Sequence, residues 1–407
     1  QSFREHYAFF QQRDIDWEDL VGTAREYLEN ETNDASLEDV VMELLSATQD
    51  IHVSVEFLGG ETHYAKMFPA FEKLALEWTS QPQISDSEGA AAVPSADAYF
   101  FQQLGAWLLI VESYLDDNLL RGDNDALYWG KFRHANVGYI CFLNMDPDDG
   151  AATEAELVNA MSTLHDADSI IFDVRINSGG SDEVSLFLTS LFASEEFGAY
   201  SKQAVIPNTS TASTPPTFTE PYSITVEPSD NPDLAFSGKV VVLASESTVS
   251  AGEVFALAMK NLPQVTLMGH NTQGAFSDML DRQLDNGWIV TLSNELYRDP
   301  EGVAHEVVGL PPHIPIEAEL LPLGERQNGE DSWIVAALEE LEVPLPTMSP
   351  TDGATGTPTP APTDDVSTDA PTTAPTSAAS DIVHSFSIKH FVGVLSCGTV
   401  LMIHALA

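Results

Sequence analysis

The chain has 407 residues, 43% of them hydrophobic, enough for one large or two ordinary domains with buried cores. Asp plus Glu number 63 against 16 Lys plus Arg, a formal net charge of −47. Such a surface repels nucleic acid and anionic membranes, which argues against both as partners, and it suits a salty or acidic medium.

Residues 1–80 read as largely helical. Ala35 to Thr48 carries a capping signal at Ser36 and places Leu37, Val40, Val41, Leu44 and Leu45 on one helix face. Gln49 to Phe57 then alternates apolar and polar residues as a strand does, which puts His52 at a helix-to-strand corner. A histidine there serves either as a structural residue or as a base. Residues 81–97 lack periodicity and read as a loop. Phe100 to Leu120 is expected to be a core helix, because Gln102, Gln103, Glu112, Asp116 and Asp117 interrupt its apolar run and exclude a membrane span.

Strands are expected at Leu127–Phe132, Val137–Leu143 and Ser169–Arg175, with a helix over Ala152–Leu164. The third strand runs into Ile176-Asn-Ser-Gly-Gly180, and a helix follows over Ser181–Phe192. Strand, glycine pair and helix form half of a βαβ unit. Gly179 and Gly180 serve either a close backbone approach or a simple left-handed turn. Residues 203–236, rich in Pro and Thr, read as an irregular insertion.

The apolar run Val240–Ala244 is short and mostly β-branched, as in a strand buried on both faces. Beyond it Ala251, Val254, Phe255, Ala258 and Met259 recur at helical spacing. Ser250 therefore stands at a helix N-terminus, where unpaired N–H groups and the dipole favour an anion. It is either a cap, paired with Glu253 in an S-x-x-E capping box, or a nucleophile beside its own oxyanion donors. A further strand is expected at Val265–Gly269, then a hairpin turning on Asp285-Asn286-Gly287, and a last helix over Asp331–Leu341.

From Pro344 to about Ser380 the composition collapses to Pro, Thr, Ser, Ala and Asp, which cannot bury enough surface to fold and matches an O-glycosylated stalk. Small residues at Ser377–Ser380, a polar spacer and the apolar Phe391–Ala407 follow the order of a GPI-attachment signal, with a membrane-spanning tail as the competing reading. The sequons at Asn30 and Asn208 agree with a secretory, cell-surface glycoprotein. A start at Gln1 is expected of a processed form or a fragment, any signal peptide having been removed. Cys141 and Cys397 are too few for a disulfide framework or a zinc site and are expected to be apolar fillers.

Several motifs stand in a shared order: Asp50-Ile-His52-Val, Phe172-Asp-Val-Arg-Ile-Asn-Ser-Gly-Gly180, Ser247-Thr-Val-Ser250-Ala-Gly-Glu253, Gly269-His-Asn-Thr272-Gln-Gly274 and His305-Glu306-Val-Val-Gly309. With Tyr7-Ala-Phe-Phe10 and Ile15-Asp-Trp17 they resemble the tail-specific (C-terminal-processing) serine protease family, in its tricorn-core and interphotoreceptor retinoid-binding-like branch, over residues 1 to about 320. The resemblance implies an α/β fold with a crotonase-like mixed-sheet protease core. Together with the readings above, this divides the chain into an N-terminal helical domain (1–80), a linker and core helix (81–126), the protease core (127–343), the disordered stalk (344–380) and the anchor signal (381–407). It implies Ser250 as nucleophile, His52 as general base, Glu306 as the orienting or polarising carboxylate, and the N–H groups of Ala251, Gly179 and Gly180 as the oxyanion hole. The substrate would be a peptide or unfolded protein, with neither cofactor nor metal. Ala275 occupies the position where the bacterial branch carries its lysine base, so a Ser–Lys dyad needs another lysine. Ile51 replaces the serine that precedes the histidine in tricorn-like sequences. His270 and His305 are spare histidines beside the motifs, and Asp173 with Arg175 is expected to be a structural ion pair or a turn brace. The same scaffold also suits a non-proteolytic binding module for hydrophobic ligands, or a degenerate protease scaffold.

Overall fold

The computed structural model describes residues 1–30, 37–80, 95–123, 125–145, 150–207, 216–231 and 233–343. The expected stalk, anchor signal, Ser36 cap, Cys397 and the Asn208 sequon lie outside these residues. In chain order come α1 (Ser2–His6), α2 (Trp17–Asn30), α3 (Leu37–Ser46), β1 (Ser54–Glu56), β2 (Thr62–Tyr64), α4 (Pro69–Ser80), α5 (Ala96–Ser113), β3 (Leu120–Arg121), β4 (Leu127–Lys131) and β5 (Val137–Phe142). Then follow α6 (Gly150–Leu164), β6 (Ser169–Asp173), α7 (Asp182–Ser190), β7 (Phe197–Ala204), β8 (Tyr222–Val226), β9 (Lys239–Ala244), α8 (Ala251–Lys260) and β10 (Val265–Gly269). The last elements are β11 (Met279–Gln283), β12 (Ile289–Ser293), β13 (Glu295–Arg298), β14 (Ile314–Pro315), α9 (Leu323–Asn328) and α10 (Ser332–Glu340).

A mixed sheet ordered β14-β10-β9-β6-β5-β4-β3 forms the centre. Its β14, β10, β9, β6 and β5 pair in parallel, and β4 and β3 close it antiparallel. Successive side chains of a strand face opposite sides. Accordingly Ile140, Phe142, Ile170, Phe172, Val240 and Val242 pack against α6, α7 and α8. Tyr139, Cys141, Ile171, Val241 and Leu243 pack on the other side against α4, α5 and α10. Both faces are covered, so these strands read as unbroken apolar runs. Cys141 is the buried filler expected.

Residues 1–80 do not stand apart from the rest. β1 pairs antiparallel with β12, Ser54 facing Thr291, and with β2, in a sheet ordered β11-β12-β1-β2. Phe3, Tyr7, Phe9, Trp17 and Leu45 share one core with Trp288, Val290 and Leu292 of the hairpin. The corner carrying His52 is thereby fixed to the chain that follows Ser250.

Three stretches differ from expectation. Tyr222–Val226, inside the supposed irregular insertion, is strand β8, which pairs with β7 and thereby with β13. Its Ile224 and Val226 pack on the core, so period-2 burial outweighs the Pro- and Thr-rich flanks. The core helix α5 starts earlier, at Ala96, because Ser95 caps it by accepting from Ala98 N–H at 3.2 Å, and it ends at Ser113. The strand expected to run to Phe57 is confined to Ser54–Glu56, leaving His52 in a turn. Among the described residues, no helix is long and apolar enough to cross a membrane.

Candidate active site

Ser250 is presented by a turn hooked onto the end of β6. Ser245 Oγ donates to Arg175 O at 2.5 Å and Thr248 Oγ1 to Val174 O at 2.7 Å, while Val249 N–H donates to Asn177 O at 3.0 Å. Ser250 itself adopts φ 54° and ψ −123°, a positive φ that costs a non-glycine residue about 1–3 kcal/mol unless its surroundings impose it. They do: its N–H points at Ala275 O (3.2 Å) and Glu253 Oε2 (3.3 Å), and its carbonyl accepts from Glu253 and Val254 N–H at 2.8 and 3.0 Å. Because Gly252 N–H finds Val249 O at 2.9 Å and Glu253 N–H finds the Ser250 carbonyl, the first turn of α8 is satisfied by main-chain acceptors. The expected S-x-x-E capping box is present as well: the Ser250 side chain faces the Glu253 N–H, and the Glu253 carboxylate accepts from the Ser250 N–H. Because the Glu253 N–H already has the Ser250 carbonyl as acceptor, the hydroxyl is a secondary cap.

Glu253 does more than cap. Its buried carboxylate also accepts from Thr272 Oγ1 (2.5 Å), Gly274 N–H (2.7 Å) and Ala275 N–H (2.7 Å). Burial pushes its pKa up to about 7, against the pull of these hydrogen bonds. Thr272 Oγ1 accepts from Leu310 N–H at 2.8 Å and Val307 N–H donates to Gly274 O at 2.8 Å, which stitches the Glu306 loop to the same support. Ala275, in place of the lysine, is buried, and its N–H and carbonyl are both engaged. Lys66, whose pKa burial lowers, lies within electrostatic reach of Arg13, Asp50 and Glu253. Among the described residues no hydrogen bond joins it to Ser250.

The glycine pair lies against the serine. A Cβ added to Gly179, whose φ is 97°, would sit 2.7 Å from Ser250 Cβ and 3.1 Å from Val249 O. Gly179 N–H, however, already donates to Asn177 Oδ1 at 2.9 Å. Of the two, Gly180 is the one left to offer a donor beside Ala251, the first residue of α8, and Gly179 contributes space instead.

His52 is buried, and burial lowers its pKa, so the neutral ring is favoured. Its Nδ1 has no hydrogen-bond partner, and among the described residues no hydrogen bond joins it to Ser250 or Glu306. Its own N–H donates to Asp50 Oδ1 at 3.0 Å, and Asp50 Oδ2 accepts from Tyr7 Oη at 2.9 Å. Arg13 lies between this carboxylate and Glu306, with Nε 3.6 Å from Asp50 Oδ2 and Nη2 donating to Glu306 Oε1 at 3.2 Å. Glu306 Oε2 accepts from Phe276 N–H at 2.8 Å. Burial and the nearby Asp50 charge push the Glu306 carboxyl up to about 8, opposed by Arg13.

The spare histidines are occupied elsewhere. His270 Nδ1 pairs with Glu246 Oε2 at 2.7 Å and Nε2 with Ala318 O at 3.1 Å, while His305 Nε2 pairs with Asp299 Oδ2 at 2.8 Å. Asp173 and Arg175 form the expected structural pair: Arg175 is 1% exposed, bridges Asp173 (2.6 Å) and Asp331 (2.9 Å), and lies between the rings of Trp107 and Trp333.

Residues 136–316, which hold Gly179, Gly180, Ser250, Ala251 and Glu306, match the profile of peptidase family S41. His52, Asp50 and Arg13 lie outside the matched segment and reach it through the β1–β12 pairing. The chain is 24% identical over 300 residues to a carboxyl-terminal-processing protease of Synechocystis sp., a match spanning 72% of this chain and 65% of that relative. Its fold is similar to that of a candidate peptidase from Parabacteroides merdae, with a TM-score of 0.63 at 24% identity over 84% of this chain and 93% of that one. Mature CPAF in complex with lactacystin gives a TM-score of 0.57 at 12% identity, over 84% of this chain and 96% of that one. The match of residues 136–316 and this fold likeness agree with the protease-family resemblance and the mixed α/β architecture.

Sequence reasoning did not find Arg13, nor the part played by Asp50 and Tyr7. The available signal was weak: an arginine among aromatic residues, and an aspartate two residues before the histidine. The S-x-x-E spacing did flag Glu253, though only as a cap.

Proposed function

We propose that the chain is a serine endopeptidase acting on peptides or unfolded protein segments through an acyl-enzyme on Ser250. The observation that carries this reading is Ser250 held at positive φ at the start of α8, with Gly179 packed against it. That geometry projects a hydroxyl beside the first N–H of a helix, where developing negative charge is stabilised. In the proposed reaction Ser250 Oγ attacks the substrate carbonyl carbon and His52 takes the hydroxyl proton. The oxyanion lies against the Ala251 and Gly180 N–H groups. The C–N bond then breaks, the amine leaving with the proton from His52, and water delivered by the same base releases the acid. A histidine kept neutral by burial is ready to accept that proton near neutral pH. Hydrogen bonds between such groups commonly tighten only once substrate is bound, consistent with the unpartnered Nδ1. Glu306 is assigned as the carboxyl that polarises this side of the site.

At the finer level, parallel β5, β6, β9 and β10 with helices on both faces support a crotonase-like core. The composition of 344–407 supports surface attachment through a GPI anchor, for which release by phosphatidylinositol-specific phospholipase is the test and retention on the membrane the contrary result.

The function is tested by labelling with a fluorophosphonate probe and by turnover of an unfolded protein substrate. Ser250→Ala is expected to abolish both, and His52→Ala to remove nearly as much turnover with the fold intact. Retained hydrolysis in His52→Ala places the base elsewhere. A folded parent that neither labels nor hydrolyses favours the ligand-binding reading.

A further inference from the structure

Arg13 is the unexpected residue of this site, and its surroundings are built to hold it still. It follows α1, whose Phe3 and the neighbouring Tyr7, Ala8, Phe9 and Phe10 are all buried. Phe3 stacks on Trp17 at 4.8 Å, Ala8 N–H donates to Ser293 O on β12 at 3.0 Å, and Ile15 N–H returns to Phe10 O at 2.8 Å. The guanidinium then points in three directions. Nη1 donates to Gln49 O (2.7 Å), Nη2 donates to Glu306 Oε1 (3.2 Å), and Nε faces Asp50 Oδ2 (3.6 Å).

The two carboxylates lead to different parts of the chemistry. Asp50 holds His52 by its main-chain N–H at 3.0 Å. Glu306 holds Phe276 N–H at 2.8 Å, and the adjoining Ala275 carbonyl accepts from Ser250 N–H at 3.2 Å. The planar fork hydrogen-bonds Gln49 O and Glu306 and holds Asp50 by charge, in fixed directions that a lysine ammonium on a flexible stem does not reproduce.

We propose that Arg13 is a positioning residue: one guanidinium that locks the corner bearing His52 against the loop bearing Glu306 and so sets the register of the base on the nucleophile turn. The inference rests on the reading of Ser250, His52 and Glu306 given above. It makes the segment before α2 part of the catalytic apparatus, although it lies outside the matched S41 segment. Small displacements of reacting groups, about 1 Å, cost about 10²-fold in rate. Loss of the brace therefore acts on kcat more than on KM.

The experiment compares the full chain with Arg13→Ala and Arg13→Lys, and with Arg4→Ala as control. The control removes an equal charge from the same segment, where Arg4 pairs with Glu18 at a half-exposed site. Arg13→Ala is expected to lower kcat about 10²-fold with KM little changed, Arg13→Lys to recover part of it, and Arg4→Ala to match the parent. His52 is faced by Asp50, Arg13 and Asp278, and Glu306 by Asp50, Arg13 and Glu253, with Lys66 also within reach of Arg13. Arg13 lowers the pKa of His52, so the acid limb of kcat/KM is expected at higher pH in Arg13→Ala, a change that simple loss of stability does not produce. If Arg13→Ala does not fold, Arg13→Lys decides. Parent-like kcat and pH profile in the folded Arg13 variants overturn the proposal. Inactive Ser250→Ala and His52→Ala alongside that result leave the catalytic reading standing, whereas an active His52→Ala sinks the reading itself.

Discussion

Glu253 shows how much one side chain decides at this site. Its two oxygens face a hydroxyl and three main-chain N–H groups, so it is at once the cap of α8 and the anchor of the Thr272–Ala275 loop. Replacing it by glutamine keeps the shape but turns an NH2 group toward donors. Each buried donor stranded in this way costs about 1–3 kcal/mol. Glu253→Gln is therefore expected to lower the urea midpoint clearly and to weaken probe labelling, since Ser250 loses one of its supports. An unchanged midpoint would mean that the four donors are not jointly held by this carboxylate. The S-x-x-E spacing made the cap legible, because capping is local. The loop contacts come from residues about twenty positions further along, and no spacing rule reaches them.

At the level of elements, two junctions carry the site. The first is the turn between β6 and α7, where Gly179 lies too close to Ser250 for any side chain. Gly179→Ala forces the two Cβ atoms apart and strains φ, and turnover is expected to fall about 10²-fold while most of the fold is kept. Full activity in that variant would show that Gly179 and Ser250 do not need their present spacing. The second junction ties β6 to α10 through Arg175 and its two aspartates. Arg175→Ala leaves both carboxylates buried without their partner and is expected to destabilise the protein by about 3–5 kcal/mol in chemical denaturation. Arg175→Met, which fills the space between Trp107 and Trp333, should lose less if stripped charge is not the main cost. Strand–glycine–helix was readable here because each piece has its own period. The Arg175–Asp331 contact was not, since the strand and the distant helix meet only in the folded chain.

Over the whole molecule, charge and burial act together. Glu306 has a folded pKa raised from 4.5 to about 8, so the folded state binds more protons than the unfolded state between those values. Its contribution to stability is therefore fully present below about 4.5 and lost as pH rises toward 8. His52, whose folded pKa is lowered from 6.5, works in the opposite sense, losing stability as pH falls below 6.5. The clean measurement is the difference between variant and parent. In thermal unfolding at fixed ionic strength, Glu306→Gln should gain on the parent steadily from about pH 4.5 to 8. A difference that stays flat or falls would show that Glu306 is not buried against its own charge.

What the amino-acid sequence determined by itself is what short-range periodicity and local chemistry encode. The doubly buried strand Val240–Ala244, the helix after Ser250, the hairpin at Asp285–Gly287 and the order of the serine, glycine and glutamate motifs all follow from residues a few positions apart. Only the tertiary structure decided that residues 1–80 join the hairpin sheet rather than stand as a helical domain, that Tyr222–Val226 is a paired strand, and that Arg13 brings Asp50 and Glu306 together. The physical reason is the same in each case. Strand pairing and buried ion pairs depend on which segments the core brings into contact, and residue 13 meets residue 306 only after the layers between them have packed.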